Sequence, residues 1–153
     1  MQTAHDILQA NPPTISPTAN VTALAQVLVD HNLEGICVVD DDGHLIGVAT
    51  AMDLIFQEKR PRMPAVFTLL DGVFTLGLSR TRDELAKIAG TSVADIMTSK
   101  PRTVSPTTPL DEIATLMVHQ HITVVPVVDG PRLVGSITKP DILRAAFLHG
   151  GAA

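Results

Sequence analysis

Aromatic residues make up only 3% of this 153-residue chain, which has no tryptophan and no tyrosine. Its core must therefore be aliphatic. Recognition of single-stranded nucleic acid by stacking bases on aromatic rings has no support. Positive charge is also short, because 11 Lys and Arg stand against 16 Asp and Glu for a net charge of −5. Nonspecific attraction to nucleic-acid phosphates is disfavoured, although a local cluster of cations can still hold a small anion. The single cysteine, Cys37, excludes an intrachain disulfide. Its neighbours Ile36 and Val38 predict a buried thiol. No N-terminal stretch has the charged, apolar and cleavage regions of a secretory signal. The longest apolar region, residues 65–78, is interrupted by Asp71-Gly72 and is too short to span a bilayer. The expectation is a cytoplasmic protein with no membrane insertion and no nucleic-acid partner.

What is present is enough to fold. Hydrophobic residues make up 45% and charged residues 18%, which supports a packed core and argues against disorder. The chain also repeats itself. Asp6-Ile7-Leu8 matches Asp95-Ile96-Met97, 89 residues later. In the same register Thr14-Ile15-Ser16-Pro17 matches Thr103-Val104-Ser105-Pro106, and Val38-Val39-Asp40 matches Val127-Val128-Asp129. Beyond the next turn the offset falls to 88, so that Thr50-Ala51-Met52-Asp53 matches Thr138-Lys139-Pro140-Asp141. A one-residue change at a hairpin tip is where a fold tolerates it. An internal duplication is the simplest account.

Each copy reads as β-α-β-β-α. A short extended piece bounded by prolines comes first. Helical spacing follows, in Val21, Leu24, Ala25, Leu28 and Val29 and again in Leu110, Ile113, Ala114, Met117 and Val118. Asn20 and Thr108 are candidate N-caps, with Pro109 at a first helical position. Two apolar, mostly β-branched runs joined by a tight turn then predict a strand pair, residues 36–39 with 45–49 and residues 124–128 with 133–137. A second helix follows Thr50 and Thr138. The expected domains are repeat 1 over residues 1–57, a connector over 58–92 and repeat 2 over 93–150. Asp71-Gly72 predicts a hairpin in the connector, Thr81-Arg82-Asp83-Glu84 a capping box and Gly90 a helix stop, so the connector is expected to be ordered.

The chemistry lies in the duplicated Thr-x-x-Asp corner. The first turn of a helix has unpaired N–H groups and partial positive charge, which suit a phosphate. A threonine hydroxyl there can donate to that phosphate, and an aspartate three residues on can accept from the paired hydroxyls of a ribose. The same pattern also serves as a plain helix cap worth about 1 kcal/mol. Lys139 sits inside the second corner, with Lys100 and Arg102 beside the extended piece of the same copy and Arg132 in its turn, where they could neutralise phosphates. The first corner has Ala51 and Met52 there, with Asp40, Asp41 and Asp42 in its turn. The second cleft is therefore expected to bind anions more tightly. No Ser, Cys or His arrangement suggests a nucleophile and base, no set of three or four convergent ligands suggests a metal site, and there is no Gly-rich phosphate loop. No catalytic or metal residues are assigned.

The duplicated Asp-Ile-(Leu/Met), Thr-hydrophobic-Ser-Pro, Val-Val-Asp and Gly-x-(Ala/Ile)-Thr-x-x-Asp pieces resemble a tandem pair of cystathionine β-synthase (CBS) domains, a Bateman module. The resemblance covers nearly the whole chain except the connector. It implies an α/β (α+β) fold of two pseudo-symmetric repeats packed through their sheets, with two clefts between them. It also implies a non-catalytic regulatory module, similar to the stand-alone members. Such modules sense an adenosine compound (AMP, ADP, ATP or S-adenosylmethionine), commonly form homodimers and signal to a partner protein. A ligand-free dimerisation or interaction scaffold is the alternative. Carried over from the family, the site residues are Thr138, Lys139, Asp141, Thr103, Val104, Ile122, Val124 and Val125 for the second cleft. For the first they are Thr50, Asp53, Thr14, Ile15, Gly35 and Ile36, with Leu33 nearby. Glu34 departs from the second copy's Thr123, where it would repel a phosphate or accept from an adenine amine.

Overall fold

The computed structural model describes residues 2–57 and 90–148. The connector hairpin around Asp71-Gly72 and the capping box at Thr81 lie outside the described residues. The first half runs through α1 (Ala4–Ile7), β1 (Gln9–Ala10), β2 (Thr14–Ile15), α2 (Val21–Asp30), β3 (Gly35–Val39), β4 (Leu45–Thr50) and α3 (Ala51–Gln57). The second half continues with α4 (Val93–Ile96), α5 (Leu110–Gln120), β5 (Val124–Asp129), β6 (Arg132–Thr138) and α6 (Lys139–Leu143), which runs into a π-helical turn at Arg144–Leu148. Among the described residues no helix is long and apolar enough to cross a membrane.

Each half builds one small sheet. In the first, β2 lies parallel to β3 and β4 antiparallel to it, with Ile15 opposite Val38 and Cys37 opposite Val48. In the second, β5 and β6 are antiparallel, and Val104 bridges to Val127 as Ile15 does to Val38. Both hairpins shift register at equivalent places, between Val38 and Val39 and between Val127 and Val128. The sequence duplication is thus a structural duplication.

The leading segment of each copy crosses to the other copy. Strand β1 pairs with β6, placing Gln9 opposite Ser136 and Ala10 opposite Gly135. Its counterpart is the bridge between Val48 and Thr98, held by N–H···O bonds of 3.1 and 2.9 Å. The cores follow the same exchange. Leu24, Ile36, Val38 and Ala49 enclose Val93, whereas Ile113, Val125, Val127 and Ile137 enclose Ala4. The order of the chain places Asp6-Ile7-Leu8 with the first repeat, but in space this segment belongs to the second. Periodicity cannot reveal such an exchange, because a short amphipathic turn fits either of two like cores.

Helix α2 starts as expected, with Asn20 Oδ1 accepting from the Ala23 N–H at 2.8 Å. Helix α5 starts one residue later than expected. Pro109, extended at φ −64° and ψ 150°, is its N-cap, and the Thr108 hydroxyl instead accepts from the Ser105 N–H at 3.0 Å.

Two measurements test this packing. A Cβ added at Gly47 would stand 2.6 Å from Met97 Sδ and 2.8 Å from the Thr98 carbonyl; one at Gly135 would stand 2.7 Å from Leu8 Cδ1 and 2.9 Å from the Gln9 carbonyl. Backbone cannot yield as a flexible side-chain end can, so Gly47→Ala and Gly135→Ala should each cost about 1–3 kcal/mol in urea unfolding. Unchanged midpoints would mean that the crossing segments do not press on these strands. Burial also pushes the Cys37 thiol from 9.0 up to about 12. Above pH 9 the unfolded chain loses this proton while the folded chain keeps it. Stability should therefore fall by up to about 1.4 kcal/mol per pH unit between those two values, and this slope should vanish in Cys37→Ala.

Candidate functional site

Among the described residues, four Thr/Ser-x-x-Asp pairs cap helices. The N–H groups of Thr3, Thr50, Ser92 and Thr138 donate to Asp6, Asp53, Asp95 and Asp141 at 2.8–2.9 Å. Two of the four cap the short crossing helices α1 and α4. The pattern is therefore structural first, and the environment of each pair decides what else it can do.

The two corners of the duplicated motif differ in what they leave free. At the second, Asp141 is buried. Its Oδ2 accepts from both the N–H and the hydroxyl of Thr138, at 2.8 and 3.0 Å, and its Oδ1 is held by Arg144. At the first, Thr50 Oγ1 accepts from the Asp53 N–H at 3.1 Å, which leaves the hydroxyl proton available. Asp53 Oδ2 takes the Thr50 N–H at 2.9 Å, and among the described residues Asp53 Oδ1 has no partner. The first corner thus presents one free donor and one free acceptor, whereas the second has turned both inward.

A cavity of about 650 Å³ opens at the first corner. Thr50 and Asp53 line one side, and Ile122 and Val124 supply an apolar wall. Three cations reach it, Lys100, Arg102 and Lys139. Lys139 is paired with Glu34 at 3.5 Å. The segment exchange explains this grouping. The Thr98–Val48 bridge holds the chain leading into repeat 2 against β4, and Lys100 and Arg102, which follow it, line the cavity with Thr50. The sequence had grouped these two cations with Asp141; the structure brings them to the opposite corner.

The other predicted residues are distributed differently. Thr103 and Val104 border a separate polar groove with Ser105, Glu112 and His119. Ile15, Ile36 and Val125 are buried in the two cores, so their side chains serve packing. Thr14 is exposed on β2. Gly35 lies where the repeats meet, since a Cβ there would stand 3.0 Å from Thr50 Cγ2 and 3.2 Å from Val124 Cγ2. Thr98, Gln120 and His121 also line the cavity and were missed. His121 takes the left-handed conformation at the end of α5, φ 54°, which directs the chain into this wall. No local pattern in the sequence marks them, because they reach this wall through the crossing of the leading segment and the end of α5.

The acidic turn after β3 is closed from within. Asp40 Oδ1 accepts from the N–H groups of His44 and Asp42, both at 2.9 Å, which holds its carboxyl below the usual range. Asp40, Asp42 and His44 bring ligand atoms within 4.8 Å of one another, but Asp40 has already committed one oxygen to the turn.

A family model described as "CBS domain" matches residues 4–59 and 93–147. Among curated proteins, the chain is 28% identical over 138 residues to the chloroplastic CBS domain-containing protein CBSX1 of Arabidopsis thaliana; the match covers 87% of this chain and 58% of that protein. The chain therefore spans about three fifths of that relative's length. Among solved structures, it resembles CBSX2 in complex with AMP, with TM-score 0.73, 25% identity and coverage of 98% of this chain and 99% of that one. It also resembles the CBS domain pair of protein MJ0100 in complex with 5′-methylthioadenosine and S-adenosyl-L-methionine, with TM-score 0.67, 27% identity and coverage of 99% and 98%. The chloroplastic relative lends no support to the cytoplasmic expectation.

The engaged state of Asp141 yields a stability prediction. Asp141→Ala removes the cap of α6 and the partner of Arg144, and should cost about 1–2 kcal/mol. In a chain of this size that lowers Tm by roughly 2–8 °C. An unchanged Tm would show that the inward bonds of Asp141 contribute nothing to folding.

Proposed function

The chain belongs to the CBS-domain family, and on that premise we propose that it is a non-catalytic regulatory module that binds an adenosine ligand in the cavity beside Thr50 and Asp53. The observation that carries this reading is the convergence of one free hydroxyl donor, one free carboxylate acceptor, an apolar wall and three cations on one cavity. The Thr50 hydroxyl would donate to a phosphate, and Asp53 Oδ1 would accept from a ribose hydroxyl. Lys100 and Arg102 would neutralise phosphate charge. Adenine would lie against Ile122 and Val124. The AMP complex of CBSX2 and the methylthioadenosine and S-adenosylmethionine complex of MJ0100 support the choice of ligand class. The ligand touches groups from both repeats, so it favours whichever repeat arrangement brings them together, and a partner protein reads that shift.

A second reading, a homodimer or interaction scaffold, is favoured by one feature. Val29 and Val118 occupy equivalent positions in the two copies and both are exposed, as are Ile55 and Leu143. Two matched apolar faces suit a docking partner or a second copy, with or without nucleotide.

Thermal unfolding of nucleotide-stripped protein with AMP, ADP, ATP, S-adenosylmethionine and guanine nucleotides separates these readings. A ligand at one hundred times its Kd adds about 2.7 kcal/mol, a Tm rise of several degrees. An adenine-selective rise that is lost in Asp53→Ala, measured against that variant's own baseline, supports the sensor. No rise with any ligand at millimolar concentration would overturn it in favour of the scaffold.

A further inference from the structure

Glu34 and Lys139 form a charged contact across the two repeats at the mouth of the cavity. Lys139 Nζ lies 3.5 Å from Glu34 Oε2, and both side chains are about 60% exposed. Their counterparts in the other copy are Thr123 and Ala51, which line the same cavity and carry no charge. The pair therefore occurs once, and it alters the charge balance of the pocket. With Glu34 and Asp53 against Lys100, Arg102 and Lys139, the lining carries a net charge of +1. Without Glu34 it would be +2, and Lys139 would lose its ion-pair partner.

We propose that Glu34 is a specificity-determining residue, competing with ligand phosphates for Lys139 so that the cavity grades adenosine ligands by their negative charge. This inference rests on the reading of the cavity as an adenosine-ligand site. A phosphate entering between Lys100, Arg102 and Lys139 must draw Lys139 away from Glu34 and face the repulsion of the Glu34 carboxylate. Both effects grow with the number of phosphate charges. An uncharged nucleoside feels neither. A ligand with a positively charged group at its 5′ end would instead find Glu34 an attractive partner. In such an exposed setting, one unit charge several ångströms away changes affinity by about threefold for each ligand charge, and salt weakens the effect.

The test uses adenosine, AMP and ATP as probes, titrated calorimetrically into the parent chain, Glu34→Gln, Lys139→Met and the double variant at 0.05 and 0.5 M salt. Both positions are exposed, so the variants should retain the parent Tm within about 2 °C. The expected result is that Glu34→Gln binds adenosine within twofold of the parent, AMP at least about threefold more tightly and ATP at least about tenfold more tightly. These gains should shrink at high salt. In the Lys139→Met background the gain from Glu34→Gln should fall severalfold, because the contested cation is absent. Gains equal for adenosine and ATP, gains undiminished without Lys139, or no gain in any probe would overturn the role of Glu34 while leaving the cavity reading intact. Failure of the parent and all variants to bind any probe would overturn both.

Discussion

The architecture depends on two close backbone crossings, at Gly47 and at Gly135. At each, the segment leading into one repeat lies against the last strand of the other, at a separation that leaves no room for a β-carbon. This contact is reciprocal, so neither half encloses its own core. Val93 completes the first core and Ala4 the second. A repeat cut from the chain would leave an open apolar socket, and its own leading helix would lack the socket it fills. Folding is therefore expected to couple the halves, since the burial that stabilises either one requires residues from both.

The same crossing determines the chemistry. Lys100 and Arg102 follow Thr98, which is bonded to Val48 on β4. The bridge holds this segment against β4, and beyond it both cations line the cavity at Thr50, where β4 ends. In the other copy β1 pairs antiparallel with β6, and the positions equivalent to Lys100, Pro101 and Arg102 hold Asn11, Pro12 and Pro13, none of them charged. Two corners with one local pattern thus belong to copies whose crossing segments differ in charge. The second corner compensates internally, with its own Arg144 on Asp141.

Much of this was legible in the residues. The 89-residue offset gave the duplication, the helical and strand periods gave the long helix and strand pair of each copy, and the combined motifs gave the family. The buried Cys37 followed from its neighbours. What could not be read was which half each leading segment packs on, because Asp6-Ile7 and Asp95-Ile96 carry the same apolar pattern and the two sockets are alike. That one ambiguity moved Lys100 and Arg102 to the wrong corner. The glycines were visible as part of a motif, but their reason was not, since close approach of a distant segment has no local signature. Sealed positions such as Ile36 and Val125 looked like candidates for a ligand slot because an apolar strand residue reads alike whether it faces a core or a cleft.

The asymmetry between the corners also bears on how such a module could respond to a ligand. Asp141 is satisfied by groups of its own helix, so a ligand there must first displace bonds that already stabilise the fold. Asp53 and Thr50 keep one acceptor and one donor unspent, so a ligand there adds bonds to this pair without breaking the cap of α3. Ligands shift a conformational equilibrium only through their difference in affinity between states. The first cavity draws its groups from both repeats, with Thr50 and Asp53 on one and Lys100, Arg102 and Ile122 on the other. Any motion that separates the repeats disperses those groups. Binding at that cavity is thereby linked to the relative placement of the halves, and the reciprocal crossing at the two glycines limits how far that placement can change without unfolding.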